Sequence, residues 1–237
     1  MAKLKVNEKY KTIVELFDSL TGSRSLWEVF NDCIESFALA IQNVYCCGER
    51  FPKNEKRYSE IMVRYTEPQQ QIIFNIVGEI INLLDANPFQ DLLGDLYMRL
   101  NFGSDALGQF FTPYNVAKLM AYTNFDTDTI KAQIAEKGYI TVNEPTVGGG
   151  ANIIAFCERL YLEGINYQKH LVIVCQELSR LTALMCYIVL SFLGCNAVIK
   201  IGDTLANPFT NYKAEVAKGS ELWTTPFFHI NNCYRKC

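Results

Sequence analysis

Apolar positions recur at helical spacing through the first hundred residues. Val29, Phe30, Cys33, Ile34, Phe37 and Ile41 form one stripe, behind the capping-box pattern Ser25-Leu26-Trp27-Glu28. Pro52-Lys53-Asn54 is expected to break the pattern. Pro68 opens a second stretch, with Ile72, Ile73, Ile76, Val77, Ile80, Ile81 and Leu84, which stops at Ala86-Asn87-Pro88. A third runs over 90–100 and ends near Gly103. Residues 1–104 therefore read as a helical N-terminal region.

From residue 105 the rhythm changes. Thr112-Pro113 fits an N-cap followed by proline at the first helical position, opening a helix through Val116, Leu119 and Met120. A β-branched run at 139–142 predicts a strand. A helix is expected at 150–163, a buried strand over 171–175, a helix over 179–193 and a third strand over 197–201. Strand–helix alternation of this kind predicts an α/β domain over 105–237 with a parallel, doubly wound sheet.

Composition narrows the function classes. The 237 residues are 49% hydrophobic and carry a net charge of −3, enough apolar matter for a core. The chain lacks a basic tail, so it does not carry the electrostatic footprint of a free-standing nucleic-acid binder. The Lys/Arg-rich stretch 49–65 also holds Glu55 and Glu60 and reads as a solvated face. The nine cysteines, several in apolar contexts, read as reduced thiols of a cytoplasmic protein. The apolar run at 181–195 is too short to span a membrane. Trp27, Phe30 and Phe37 are expected in the core, with partner binding as the alternative. His229, Cys233 and Cys237 have helical spacing but no fourth ligand, so no metal site is assigned. Two histidines without a Ser/His/Asp setting leave hydrolase readings unsupported.

Three strand ends carry the candidate chemistry. The first leads into Asn143-Glu144-Pro145-Thr146-Val147-Gly148-Gly149-Gly150. Glycines allow positive φ and close approach of a ligand, and the following helix offers free N–H groups. The second strand ends in Gln176-Glu177, where an acid can accept both hydroxyls of a ribose or serve as a solvated strand-end carboxylate. The third ends in Gly202-Asp203-Thr204-Leu205, where Asp203 can accept from an exocyclic purine amine or form a turn. Three carboxylates, with no lysine at the glycine turn, favour a ligand with an amine, a ribose and a base over a simple phosphate.

These segments resemble a known family. Gly108-Gln109-Phe110-Phe111-Thr112-Pro113 is similar to the G-Q-F-F-T-P segment of adenine-specific DNA methyltransferases, especially the modification subunits of type I restriction enzymes. Residues 144–150 are similar to their cofactor motif, usually D-P-x-x-G-x-G. Gln176-Glu177 resembles their Q-E segment, and Gly202-Asp203-Thr204-Leu205 matches their G-D-T-L. The resemblance covers residues 90–210. It implies a Rossmann-like methyltransferase fold that binds S-adenosylmethionine. Phe111 and Thr112 would line the methionine end, and Glu144, Gly148 and Gly150 would hold its amine and carboxylate region. Glu177 would take the ribose hydroxyls and Asp203 the adenine amine, with Leu205 and Phe209 near the ring. For Phe111 and Phe209 an ordinary core role is the alternative.

One motif departs from the family. Its target-base site is N-P-P-F or a close variant at the end of the fourth strand, with an aromatic that stacks on the extruded adenine. Here the corresponding stretch reads Trp223-Thr224-Thr225-Pro226-Phe227. Thr224, Pro226 and Phe227 would then form a degenerate target-base site. Asn207-Pro208-Phe209 lies too soon after the third strand to take that role. Two readings follow. One is S-adenosylmethionine-dependent methylation of the adenine N6 amine in DNA, helped by a partner or specificity subunit and compatible with a homo-oligomer. The other is a catalytically inactive cofactor-binding or partner-binding module, or a fragment of a longer enzyme.

Overall fold

The computed structural model describes residues 8–45, 48–102, 111–217 and 222–234. The chain divides into two compact units, Met1–Pro88 with Leu92–Phe110, and Phe89–Asp91 with Phe111–Cys237.

The first unit is helical. A 3-10 turn, Glu8–Tyr10, leads into α1 (Lys11–Ser19), α2 (Leu26–Asn43), α3 (Arg50–Met62), α4 (Glu67–Ala86) and α5 (Leu92–Arg99). The Ser25 capping box forms, with Glu28 N–H donating to Ser25 Oγ at 3.2 Å and Ser25 N–H donating to Glu28 Oε2 at 2.8 Å. The α2 stripe Val29, Phe30, Cys33, Ile34 and Phe37 is buried with Ile73, Ile76 and Ile80 of α4. Pro52 does not break a helix, contrary to expectation; it lies in the first turn of α3. The first four N–H groups of a helix have no intrahelical acceptor, so a missing one costs nothing there. The polar side of α2 is buried too. Asp32 accepts from the Arg64 guanidinium at 2.6 Å and the Tyr65 hydroxyl at 2.8 Å, and Glu35 from Arg57 at 2.6 Å.

The second unit is α/β. Its elements are α6 (Tyr114–Thr123), α7 (Thr127–Lys137), β1 (Ile140–Glu144), α8 (Ala151–Leu162), the one-turn α9 (Tyr167–His170), β2 (Leu171–Glu177), α10 (Arg180–Phe192), β3 (Asn196–Ile201), α11 (Tyr212–Ala217), β4 (Leu222–Thr224) and α12 (Pro226–Tyr234). Pro113 itself occupies the N-cap position of α6, one residue later than expected, without a side-chain cap from Thr112. α7 buries no residue, so it leaves no apolar stripe in the sequence.

The sheet has the order β1-β2-β3-β4. β1 and β3 flank β2 in parallel, with Glu144 opposite Cys175 and Glu177 opposite Ile201. The expected all-parallel sheet is corrected at its last strand. β4 runs antiparallel on β3, pairing Leu222 with Lys200 and Thr224 with Val198. The described strands form a mixed α/β sheet, and their order does not establish a doubly wound arrangement. Every residue of β2 is buried, as a central strand covered on both faces requires. One face meets α10, where the Trp223 and Tyr187 rings stand 5.1 Å apart edge to face. The other face buries Val174, Val198 and Leu222 under Phe209 and Phe228.

Candidate cofactor site at the carboxyl edge

After β1 the backbone stays tied to β2. Val147 N–H donates to the Gln176 carbonyl at 3.0 Å, so the glycine turn starts at a fixed height above the sheet. Gly148 and Gly150 then take φ of +53° and +100°. An L-residue with a Cβ pays for this conformation, which is why glycine stands there. Space is also short. A Cβ on Gly148 would lie 3.3 Å from the Phe111 ring, and one on Gly150 would lie 3.3 Å from Cys186 Sγ. Phe111 thus lies against the turn, and Gly150, the N-cap residue of α8, lies against Cys186 of α10.

The Glu177 carboxylate sits under this turn. It is 8% exposed. Oε2 accepts from Gly148 N–H at 2.9 Å and Oε1 from Ser179 N–H at 2.9 Å. One side chain therefore joins the end of β2 to the glycine turn and to the start of α10. Glu144, at the end of β1, accepts from Asn152 Nδ2 at 3.4 Å. The Thr204 hydroxyl donates to the Pro145 carbonyl, joining the segments that follow β1 and β3. Asp203 folds its own turn: Oδ1 accepts from Leu205 N–H at 2.8 Å and Ala206 N–H at 3.3 Å.

α6 is fastened to α8 beside this edge. The small residues Ala117, Ala121, Ala151 and Ala155 let the two helices approach closely. Glu158 accepts from the Tyr114 hydroxyl and the Lys118 ammonium, both at 2.9 Å. Burial, then the Glu158 carboxylate, push the Tyr114 phenol up well beyond its ordinary range, so it remains a donor. This junction fixes the residues just after Thr112.

Phe111 and Glu177 both meet Gly148, and Gly150 closes the same turn with its N–H on the Val147 carbonyl at 2.9 Å. Glu144 and Asp203 lie at the same sheet edge, on either side of the Glu177 strand, and Thr112 is half-buried next to Phe111. The Gly108–Phe110 part of the first motif lies outside the described residues. Leu205 is 95% exposed on the 202–209 segment. Phe209, by contrast, is 5% exposed and packs in the core against Val174 and Val198.

Thr224, Pro226 and Phe227 are not brought to this edge. Because β4 is antiparallel, the chain runs toward the amino end of β3. Thr225 N–H donates to the Ala197 carbonyl at 3.0 Å, and a Cβ on Gly194 would lie 3.2 Å from the Phe227 ring. Ala197 lies four residues before the end of β3, about 13 Å at ~3.3 Å per residue. The Thr224 hydroxyl instead meets His229 Nε2 at 2.8 Å. Cys237 and the side chain of Cys233 lie outside the described residues. Among those residues no cluster of His, Cys, Asp or Glu could hold a metal ion, and no helix is long and apolar enough to cross a membrane.

Two neighbours of Glu177 in the Q-E segment carry no assigned role in the sequence reading. Leu178 follows Glu177 and is 70% exposed, an apolar side chain out in solvent at the site. Gln176 is a polar residue ending an apolar strand run, a signal visible in the sequence beside the more conspicuous Glu177.

The comparison with known proteins bears on the same segments. The family model for N-6 DNA methylase matches residues 89–228. No curated protein matches the chain. The matched stretch includes the glycine turn, all three strand-end carboxylates and β4, and extends over more than half of the sequence. On that match, the chain belongs to the N-6 DNA methylase family.

Proposed function

We propose that this chain binds S-adenosylmethionine at the carboxyl edge of its sheet and acts as a DNA adenine-N6 methyltransferase. The observation that carries the reading is the junction of Glu177 with the Gly148 N–H, flanked by Glu144 and Asp203 on the neighbouring strands.

The residues fit such a ligand. Each carboxylate oxygen of Glu177 accepts one backbone N–H and has capacity for a second donor, so ribose hydroxyls can be added without breaking either bond. Both turn bonds of Asp203 fall on Oδ1, which leaves Oδ2 able to accept from an adenine amine. The glycines at 148 and 150 let the backbone itself approach the ligand, and Glu144 supplies a negative charge for the methionine ammonium. Phe111 and Thr112 border the methionine end. Leu205 is exposed on the segment that would border the base. S-adenosylmethionine supplies an electrophilic methyl on a sulfonium. The protein's part is to hold donor and acceptor in line, which suffices for a large share of such a barrier.

The substrate is the exocyclic amine of adenine in DNA, the substrate class of the family. With a net charge of −3 the chain has little phosphate attraction of its own. A partner or specificity subunit therefore supplies DNA contact, and a homo-oligomer is compatible with the reading.

A second reading rests on a specific observation. The pairing of β4 carries Thr224, Pro226 and Phe227 away from the carboxyl edge. That favours a module that binds cofactor and a partner without transferring the methyl group itself.

One experiment separates the two. Titration with S-adenosylmethionine by calorimetry is followed by an assay of tritiated methyl transfer to unmethylated DNA. Binding with transfer supports the enzyme. Binding without transfer, at low salt and high DNA concentration where contact needs no partner, supports the module, and absence of binding refutes both.

A further inference from the structure

Gln176 ends an otherwise apolar strand run, 171–175, and is 1% exposed. An apolar side chain at such a position would avoid the cost of desolvating an amide. Gln176 meets that cost with three hydrogen bonds, all to one segment. Its Nε2 donates to the Asn207 carbonyl at 2.9 Å and to the Gly202 carbonyl at 3.3 Å, and its Oε1 accepts from Phe209 N–H at 2.8 Å. Both ends of the 202–209 segment are thus held by one amide.

Between those ends Asp203 folds a turn of its own, and the Thr204 hydroxyl ties the segment to the Pro145 carbonyl. The Asp203 carboxylate accepts from Leu205 and Ala206 N–H, and the Asp203 carbonyl accepts from Asn207 N–H at 2.9 Å. Its base is anchored separately: Lys200 Nζ reaches Asn207 Oδ1 at 3.2 Å and Glu215 at 3.1 Å. Gly202 N–H donates to the Glu177 carbonyl at 2.9 Å, so the orientation of the Asp203 turn depends on Gln176 at both ends of the segment together with the Glu177 and Pro145 carbonyls.

We propose that Gln176 is a positioning residue for the base end of the cofactor site, setting the Asp203 carboxylate through the 202–209 segment. This rests on the cofactor reading above. No other common side chain fits the arrangement. Asparagine is one methylene short. Ionised glutamate would aim carboxylate oxygens at two backbone carbonyls. Methionine fills the space but satisfies none of the three groups.

The test is base selectivity, because a merely structural role would weaken all ligands alike. Calorimetry compares S-adenosylhomocysteine with its hypoxanthine counterpart, S-inosylhomocysteine, in the wild type, Gln176→Met, Asp203→Asn and the double variant. The wild type is expected to prefer the adenine form about tenfold, the size of one hydrogen bond to a charged acceptor. Gln176→Met and Asp203→Asn are each expected to bring the preference to within about twofold, and the double variant no further, because the two act in series. Equal weakening of both ligands by Gln176→Met, an unchanged preference, or independent losses in the double variant overturns the proposal. A wild type that binds both forms equally overturns it as well. A wild type that binds neither overturns the cofactor reading itself, a distinct result. If Gln176→Met does not fold, Gln176→Glu replaces it. Its protonated form restores one donor and one acceptor, so selectivity should return as pH falls from 8 to 5, and selectivity that does not change with pH overturns the proposal.

Discussion

The Glu177 carboxylate accepts a hydrogen bond from the Gly148 backbone N–H at 2.9 Å, so the residue assigned to the ribose also fixes the glycine turn. Substitution there should therefore affect both binding and local order. Glu177→Ala removes the charge-assisted acceptor for the ribose, and S-adenosylmethionine affinity should fall by about tenfold to a hundredfold, from ~1.5–3 kcal/mol for one such bond. Glu177→Gln should not rescue it fully. Its NH2 group must face either Gly148 N–H or Ser179 N–H, donor against donor. Calorimetric titration of the two variants measures this, and an unchanged affinity in Glu177→Ala would remove Glu177 from the site.

Gly150→Ala should cost stability for two independent reasons. The residue holds φ +100°, and an added Cβ would meet Cys186 Sγ at 3.3 Å. The conformational part alone is about 1–2 kcal/mol. Urea denaturation should show at least that loss. Gly164→Ala, at φ +71° with nothing within 4 Å of the added Cβ, should show only the conformational part.

The antiparallel seating of β4 can be tested through Thr225. Its hydroxyl donates to the Cys195 carbonyl at 2.6 Å and accepts from Ala197 N–H at 3.0 Å, in full burial. Thr225→Val keeps the shape and strands both backbone groups, a cost of about 1–3 kcal/mol. Phe227→Ala should likewise lower stability while leaving S-adenosylmethionine affinity within about twofold, since distant sites act independently. A large loss of affinity in Phe227→Ala would bring the 224–227 stretch back to the cofactor edge.

Two helix caps should give the protein an acid-sensitive slope. Hydrogen bonds from the Ser25 hydroxyl and then its backbone N–H hold the Glu28 carboxyl below its ordinary value. The Thr129 hydroxyl, then its N–H, do the same for Asp126 at the start of α7. A carboxyl depressed in the folded state adds stability above its unfolded pKa of about 4 and loses it as pH falls through the folded value. The unfolding midpoint measured between pH 6 and 3 should thus decline. Ser25→Ala and Asp126→Asn should each flatten the decline.

The buried thiols should be inert. Cys157 and Cys195 lie 3.7 Å apart in full burial, and burial leads the causes that raise the Cys195 thiol well above its ordinary value. Since the thiolate is the reactive form, Cys33, Cys157, Cys175, Cys186 and Cys195 should react with a maleimide only on unfolding. Labelling followed by mass spectrometry checks this.

Periodicity in the sequence determined the α2, α4, α8 and α10 helices and the first three strands, with ends displaced by a residue or two. These segments bury most of their apolar stripe, so the pattern is written in composition. The glycine turn and the three strand-end acids were legible for a related reason: parallel connections deliver successive strand ends to one edge, whatever the packing above them. α7 was illegible because it buries nothing. Only the tertiary structure decided the fate of 222–227. Three residues of strand carry no direction, and the hydrogen bonds of Thr224 and Thr225 to β3 and the β3 entry turn them antiparallel. It also decided between roles that share a residue type. Phe111 lies against the glycine turn while Phe209 goes into the core. Gln176 became a positioning amide because three backbone groups of the 202–209 segment, 26 to 33 residues further along the chain, converge on it.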